Sequence, residues 1–148
     1  MIFREAQTTD IKQLHDIRMS VHENILPDPS LITIKDYEEL LTIRGKGWVC
    51  EINESIVGFA IVDLANFNIW ALFIKPEHEK KGIGKKLQNI MLTWYFSRTK
   101  HPIWLSTSPN TRAEVFYRNN GWREVGKQPN GEIRFELSFE DWKNKYII

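Results

Sequence analysis

The amino-acid sequence predicts an α/β fold in which one mixed sheet carries helices on both faces. The first observation is that strand-like runs and amphipathic helical patterns follow one another in the order β-α-α-β-β-β-α-β-α-β-β. The second is size, because 148 residues can bury a sizeable core in one unit. The third is that no internal repeat or linker-like stretch interrupts the patterns. We therefore expect a single domain over residues 1–148.

The N-terminal part predicts a strand and two helices. One helix is indicated by apolar residues that recur every three or four positions: Ile11, Leu14, Ile17 and Val21. Thr8 or Thr9 is expected to cap it, and Thr33 opens the second helix with Asp36 three residues later. The expected segments are a strand over 2–6, a proline-containing loop over 24–30, and a second helix that ends at 45–47.

The middle of the chain predicts three strands, over residues 48–52, 56–64 and 68–74, followed by a long helix from Ile83 to about Arg98. The third strand is almost continuously apolar, which is typical of a strand buried on both faces. The expected inward stripe of the helix is Leu87, Ile90, Met91, Trp94 and Tyr95.

The C-terminal part predicts three further strands and one helix. The expected segments are a strand over 103–105, a helix from Arg112 to Asn119 that Gly121 closes, and strands over 122–125 and 133–138.

Composition excludes several classes of protein. Twenty basic and nineteen acidic side chains give a formal charge of +1, whereas a domain that coats nucleic acid or an anionic membrane needs a clustered cationic excess. The single cysteine, Cys50, excludes an internal disulfide and a cysteine-rich zinc site, and we expect no metal. Since Met1–Glu5 has no apolar signal core and no apolar run approaches the ~20 residues of a membrane span, we expect a cytoplasmic protein.

The segment from Lys75 to Lys86 departs from this neutrality, with five lysines and two glutamates. Gly82 and Gly84 lie where a strand passes into the long helix, so the backbone can approach a ligand closely. The first N–H groups of that helix have no internal partner, and with the helix dipole they favour phosphate oxygens. A glycine turn with merely solvated lysines is the alternative, and the local sequence weighs the two about equally.

Two familiar phosphate motifs do not fit this segment. A P-loop requires Ser or Thr where Lys86 stands, and an additional glycine where Glu79 stands. A dinucleotide-binding fingerprint requires a third glycine at Leu87.

Three motifs, in order along the chain, resemble the GNAT family of N-acetyltransferases. They are Ala71-Leu72-Phe73-Ile74-x-Pro76, Lys81-Gly82-Ile83-Gly84-Lys85-Lys86-Leu87, and Asn110-x-x-Ala113-x-x-Phe116-Tyr117-x-x-x-Gly121-Trp122. The resemblance implies a mostly antiparallel sheet with one splayed parallel strand pair. It also implies transfer of an acetyl group from acetyl-CoA, as co-substrate, to a primary amine of a small molecule or peptide, by direct attack on the thioester.

The same resemblance implies a set of cofactor-binding residues. The pyrophosphate would be held by main-chain amides of Lys80, Lys81, Gly82, Ile83, Gly84 and Lys85. Phe73 and Ile74 would pair through their main chain with the pantetheine arm, and Asn110 would contact that arm. Glu79 departs from the family pattern, which has Gln or Arg there. Because a carboxylate cannot donate to phosphate, we expect Glu79 to turn outward.

Tyr117 is the candidate catalytic acid, because a positioned phenol can protonate the departing thiolate. The alternative is a packing aromatic beside Phe116. The family's glutamate base is matched here by Asn68, which is no useful proton acceptor. Glu23 and His22 are the substitutes, and a solvated helix end or a water relay to a more distant carboxylate are the alternatives.

The acceptor site is expected between the first two helices, their loop over residues 21–29, and the strand residues Asn68 and Trp70. Glu23 is the candidate for amine recognition, with His22 and Asn24 as neighbours. The competing function is a sensor of the same fold that binds CoA or acyl-CoA without turnover. The oligomeric state stays open, and a homodimer is compatible with the sequence.

Overall fold

One mixed sheet of seven strands organises residues 1–146, the part of the chain that the computed structural model describes. The strands are β1 (Ile2–Glu5), β2 (Gly45–Ile52), β3 (Ser55–Asp63), β4 (Asn68–Ile74), β5 (Ile103–Thr107), β6 (Arg123–Lys127) and β7 (Ile133–Leu137). The helices are α1 (Ile11–Ser20), α2 (Ile34–Glu39), α3 (Ile83–Arg98), α4 (Arg112–Asn119) and α5 (Phe139–Tyr146). Residues 147 and 148 of the predicted domain lie outside the described range.

The strand order is β1-β2-β3-β4-β5-β7-β6, and every neighbouring pair is antiparallel except β4 and β5. This confirms the predicted fold class. The parallel pair separates soon after it meets. Its ladder contains one residue pair, Asn68 with Trp104, beside a hydrogen bond of 2.9 Å from the Trp104 N–H to the Phe67 carbonyl. Beyond that point β4 is bonded only to β3, and β5 only to β7. A cleft therefore opens between residues 71–74 and 105–107.

The register of β4 decides which of its main-chain groups face this cleft. The Lys75 N–H donates to the Val57 carbonyl at 2.8 Å, which makes these two residues a hydrogen-bonded pair. Because such pairs alternate along an antiparallel ladder, the main chain of Phe73 also faces β3. The N–H and C=O groups of Leu72 and Ile74 face the cleft instead.

Two apolar clusters lie on opposite faces of the sheet. On one face α3, α4 and α5 cover residues such as Leu105 and Phe135. On the other, α1 and α2 cover residues of β2, β3 and β4, including Phe59 and Ile61. A bulge in β4 at Trp70, where Ile61 pairs with Ala71 but Val62 with Ile69, turns the Trp70 side chain toward this second face.

The N-terminal helix begins and ends differently from the prediction. Thr8 and Thr9 lie in a 3-10 turn instead of capping α1. Asp10, at the end of that turn, binds Arg4 through hydrogen bonds of 2.9 and 3.0 Å, so a partner on β1 fixes the entry to the helix. Val21 is extended rather than helical.

The second helix begins as predicted. Thr33 Oγ1 accepts from the Asp36 N–H at 3.2 Å, and Asp36 accepts from the Thr33 N–H at 2.8 Å. The chain continues through one π turn, Leu40–Arg44, and passes directly into β2 at Gly45.

Two burial predictions are wrong in part. In α3, Ile90 and Trp94 are only half-buried, while Gln88, Leu92 and Phe96 are buried beside the correctly predicted residues. In β4 only Ile69 and Ala71 are buried, because the strand borders the cleft. The sequence patterns also missed α5. Within residues 1–146, no helix combines the length and apolarity needed to cross a bilayer.

Candidate active site

The loop between β4 and α3 forms a cradle of main-chain donors over residues 80–85. Lys80 and Gly82 adopt left-handed conformations, with φ of 63° and 80°. The first helical bond runs from the Lys86 N–H to the Gly82 carbonyl, at 3.1 Å. Within residues 1–146 none of the six N–H groups of the cradle finds an acceptor. Together with the dipole of the 16-residue α3, they make an anion site.

The cradle has room for a ligand. A Cβ added at Gly82 would meet nothing within 4 Å, and one at Gly84 would make only ordinary contacts with Ile74 and Phe116, both at 3.9 Å. The side chains of Lys80, Lys81 and Lys85 are exposed around it. The loop is therefore both open and positively charged, which fits the predicted pyrophosphate site.

Of the two residues predicted to pair with pantetheine, only Ile74 directs its main chain into the cleft. The main chain of Phe73 belongs to the β3 ladder, and its ring packs on the opposite face, 6.0 Å from Phe59. Leu72, which the prediction omitted, shares the orientation of Ile74. The alternation of ladder bonds along β4 is the physical reason for this correction.

The first residue of α4 joins the cradle to the loop between α1 and α2. The Arg112 side chain forms an ion pair with Glu79, next to the cradle. The Arg112 main-chain N–H donates to Glu23 Oε1 at 2.9 Å. Glu79 is thus half-buried and bound by Arg112, which corrects the expectation that it turns outward. Asn110, two residues earlier, has φ of 60° and an exposed side chain.

Tyr117 is buried in α4 among aromatic rings, with centroids 5.2 Å from Phe116 and 5.4 Å from Trp122. Burial raises its pKa above the ordinary value, so the phenol stays protonated at neutral pH. Its hydroxyl has no hydrogen-bond partner within residues 1–146. A protonated hydroxyl that is free of other bonds in the described chain can donate a proton, but the raised pKa also makes the phenol a weaker acid. The catalytic role of Tyr117 stays a prediction.

The predicted acceptor residues on the loop have structural partners. Besides the bond from Glu23 to α4, the Asn24 side chain accepts from the Ser108 N–H at 2.9 Å and donates to Thr107 Oγ1 at 3.0 Å. Glu23 therefore fastens the loop to α4, and Asn24 fastens it to the end of β5 and the residue that follows. His22 is exposed. The geometry gives Glu23 and Asn24 a positioning role, and a contact with the amine stays a prediction.

The strand residues of the predicted acceptor site lie where β4 and β5 diverge. Asn68 is half-buried, and its Oδ1 is buried with no hydrogen-bond partner in the described chain. Trp70 packs edge-on against Tyr37, at 5.2 Å between centroids. The Tyr37 hydroxyl lies 2.9 Å from His15 Nδ1, and burial raises the pKa of Tyr37 to about 12. Trp70 thus contributes to the core, and a contact with the amine stays a prediction.

A cavity of about 480 Å³ also opens between α1 and α2. It is lined by the first turns of α1 and by α2, including His15 and Tyr37. None of His22, Glu23 or Asn24 lines it, so it does not coincide with the predicted acceptor site.

The family model of the Acetyltransferase (GNAT) family matches residues 11–122. The chain belongs to this family. The match confirms the resemblance seen in the motifs, and it spans both the cradle and Tyr117. No curated protein matches the sequence.

Solved structures support the same fold. An acetyltransferase of the GNAT family from Staphylococcus aureus Mu50 has a TM-score of 0.81 and 22% identity, over 93% of this chain and 98% of that one. The PaiA N-acetyltransferase from Thermoplasma acidophilum in complex with coenzyme A has a TM-score of 0.78 and 15% identity, over 93% of this chain and 98% of that one. The ribosomal-protein-S18-alanine N-acetyltransferase from Escherichia coli has 0.74 and 17%, over 93% of each chain. At these identities the likeness concerns the fold.

Two polar residues of this GNAT domain were missed in the sequence. Arg18 is half-buried on α1, with its Cζ 4.3 Å from the centroid of the Phe73 ring. Glu132, just before β7, accepts from Ser106 Oγ at 3.3 Å. A signal for Arg18 was present, because it lies four residues after the buried Leu14 and so shares its helix face. The contact of Glu132 with β5 has no sequence signal, since 26 residues separate it from Ser106.

Proposed function

We propose that this protein is an N-acetyltransferase that transfers the acetyl group of acetyl-CoA to a primary amine of a small molecule or peptide. One observation carries the proposal: six N–H groups over residues 80–85, which have no acceptor among residues 1–146, form a positively charged cradle beside a cleft between two splayed strands. Membership of the GNAT family supports acetyl transfer in general.

The residues present fit acetyl-CoA. The cradle would hold the pyrophosphate, and the cleft-facing main chain of Leu72 and Ile74 would bind the pantetheine arm, with Asn110 beside it. Acetyl-CoA supplies an activated acetyl thioester. The protein's own contribution is to hold the amine against that group and to exclude water, which lowers the entropic part of the barrier.

Tyr117 is proposed to donate a proton to the departing thiolate, since its phenol is protonated and unpartnered in the described chain. Asn68 is no base, and Glu23 is bound to the start of α4. We therefore assign removal of the amine proton to a water relay, as the sequence left open. Glu23 and Asn24 would act by fixing the loop that borders the amine.

Release of free CoA thiol, measured with a panel of primary amines, tests this function. An enzyme releases thiol in proportion to amine, whereas a sensor binds CoA, measured by calorimetry, and releases none above background. Thiol release from at least one amine is expected. Binding without release by any amine would favour the sensor, and absence of binding would contradict both functions.

A further inference from the structure

Arg18 has an unusual environment for a charged side chain. Its guanidinium lies over the Phe73 ring, and its Nη1 is buried without a hydrogen-bond partner within residues 1–146. Burial lowers its pKa, although the fields of Tyr37 and Glu132 oppose that effect. Burying an unpaired charge is strongly unfavourable for a folded protein. The side chain therefore has an unmet need for an anionic partner.

Other partly buried arginines of the described chain do have such partners. Arg4 binds Asp10 at 2.9 Å, Arg44 forms an ion pair with Asp63, and Arg134 lies 3.7 Å from Glu136. Arg18 forms no ion pair with any residue in the range 1–146. The fold thus pairs its other partly buried guanidinium groups, and Arg18 is an exception beside the cleft.

The position of Arg18 places it on the acceptor side. Phe73, on which it stacks, belongs to the half of β4 that borders the cleft, and its ring points away from α3. Glu132 precedes β7 and is bonded to Ser106 of β5, so it acts on Arg18 electrostatically from the β5 side of the cleft. A molecule that approaches the cleft from the α1 side therefore meets a cation and an anion together.

We propose that Arg18 binds a carboxylate of the acceptor, so that the substrate is a small primary amine that also carries a carboxylate, of the amino-acid type. This inference rests on the proposed acetyl transfer. A planar guanidinium binds a carboxylate through two parallel hydrogen bonds, and the stacking on Phe73 fixes its plane. A single cation, Arg18, with Glu132 nearby suits a substrate that carries one negative charge and an amine. The same arrangement disfavours a phosphate dianion.

The test compares each of the nineteen standard amino acids that have a primary α-amine with its own α-carboxamide, which keeps the amine and side chain but removes the charge of the α-carboxylate. Thiol release gives kcat/KM, and calorimetry gives the Kd for CoA. The wild-type protein should prefer acid over amide about 10- to 100-fold, the worth of one charge-assisted hydrogen-bonded pair. Arg18→Met should abolish the preference and leave the Kd for CoA unchanged.

Arg98→Met is the matched control, because Arg98 is also stacked on an aromatic ring, 5.2 Å from Trp94, but lies exposed at the end of α3. It should keep the preference. Arg18→Met removes an unpaired buried charge, so its melting temperature should equal or exceed that of the wild type. If Arg18→Met does not fold, Arg18→Lys keeps the charge without the planar guanidinium, and it should reduce the preference for acid over amide.

Equal rates with acids and amides in the wild type would overturn the proposal. The proposal would also be overturned if Arg18→Met lowered kcat/KM equally for acids and amides and raised the KM for acetyl-CoA. That result would place Arg18 on the donor side. If no amine releases thiol although CoA binds, the proposed function fails separately. Thermal shift of the CoA-saturated protein then decides: amino acids, but not amides, should stabilise the wild type and not Arg18→Met, and equal shifts would overturn the inference.

Discussion

The proposed donor and acceptor sides of the cleft are built from different groups. On the donor side the cradle over 80–85 uses main-chain N–H groups, which a local turn and a helix start hold in place. On the acceptor side, side chains from distant segments meet: Glu23 binds α4, Asn24 binds the segment after β5, and Arg18 lies on Phe73. A main-chain site tolerates change in most side chains and depends on backbone conformation, whereas the other side depends on each individual contact.

The largest expected effect comes from Tyr117, the proposed proton donor. Tyr117→Phe should lower kcat by roughly 10²–10⁴-fold with CoA binding retained, because it removes only the hydroxyl that is proposed to donate the proton. Tyr95→Phe is the matched control: Tyr95 is also buried, but its hydroxyl donates to the His101 carbonyl at 3.0 Å. It should cost about 1 kcal/mol of unfolding free energy and leave kcat alone. Steady-state kinetics and urea unfolding measure both, and equal kcat in the two variants would make Tyr117 a packing residue.

Backbone conformation is tested directly at Gly82. Gly82→Val strains a φ of 80° and places a branched side chain in the cradle, so the Kd for CoA should rise roughly 10- to 100-fold, as expected for the loss of hydrogen bonds to a charged group. Gly131→Val is the control, with φ of 90° and equally open surroundings in the turn between β6 and β7. Calorimetry on both variants decides. If a folded Gly82→Val binds CoA as tightly as the control, the cradle is not the pyrophosphate site.

On the acceptor side, Asn24→Ala should lower the unfolding free energy by about 1–2 kcal/mol, since two hydrogen bonds to the segment after β5 are lost. KM for the amine should rise and the Kd for CoA should not. Asn24→Gly deletes the same two hydrogen bonds, but glycine adopts the positive φ of 54° without strain. Comparison of the two variants therefore separates the effect of backbone strain from that of the lost bonds. An unchanged KM in both variants would show that the loop does not border the amine.

The smallest effect is expected at Glu79, where the substitution should strengthen CoA binding, whereas Gly82→Val should weaken it. Glu79→Gln removes a negative charge beside the cradle, so CoA should bind a few-fold more tightly, and more so at low salt. Its pair with Arg112 is about half exposed and should contribute only about 0–1 kcal/mol to stability. Glu77→Gln, at an exposed position of the same loop, is the control. Equal changes in the two variants would mean that only the net charge of the loop matters.

The same contrast explains what the sequence allowed us to predict. The start of α3 and the full span of β4 follow from local signals, the glycines and the apolar run, and both are correct. Glu23 and Asn24 lie between the first two helices, as expected, but their partners lie 89 and 84 residues away, at Arg112 and Ser108. No local pattern contains such contacts. The main-chain direction of Phe73 depends likewise on its register with β3.

The cleft-facing edge of β4 has a consequence for hydrogen exchange. Successive amides of this strand alternate between a bonded position toward β3 and an unbonded position toward the cleft. Exchange rates should therefore alternate along β4 and the residue that follows it, with the amides of Phe73 and Lys75 protected and those of Leu72 and Ile74 exchanging orders of magnitude faster. A ligand that accepts hydrogen bonds along this edge should slow the exchange of the Leu72 and Ile74 amides. These two amides therefore report whether the cleft is filled.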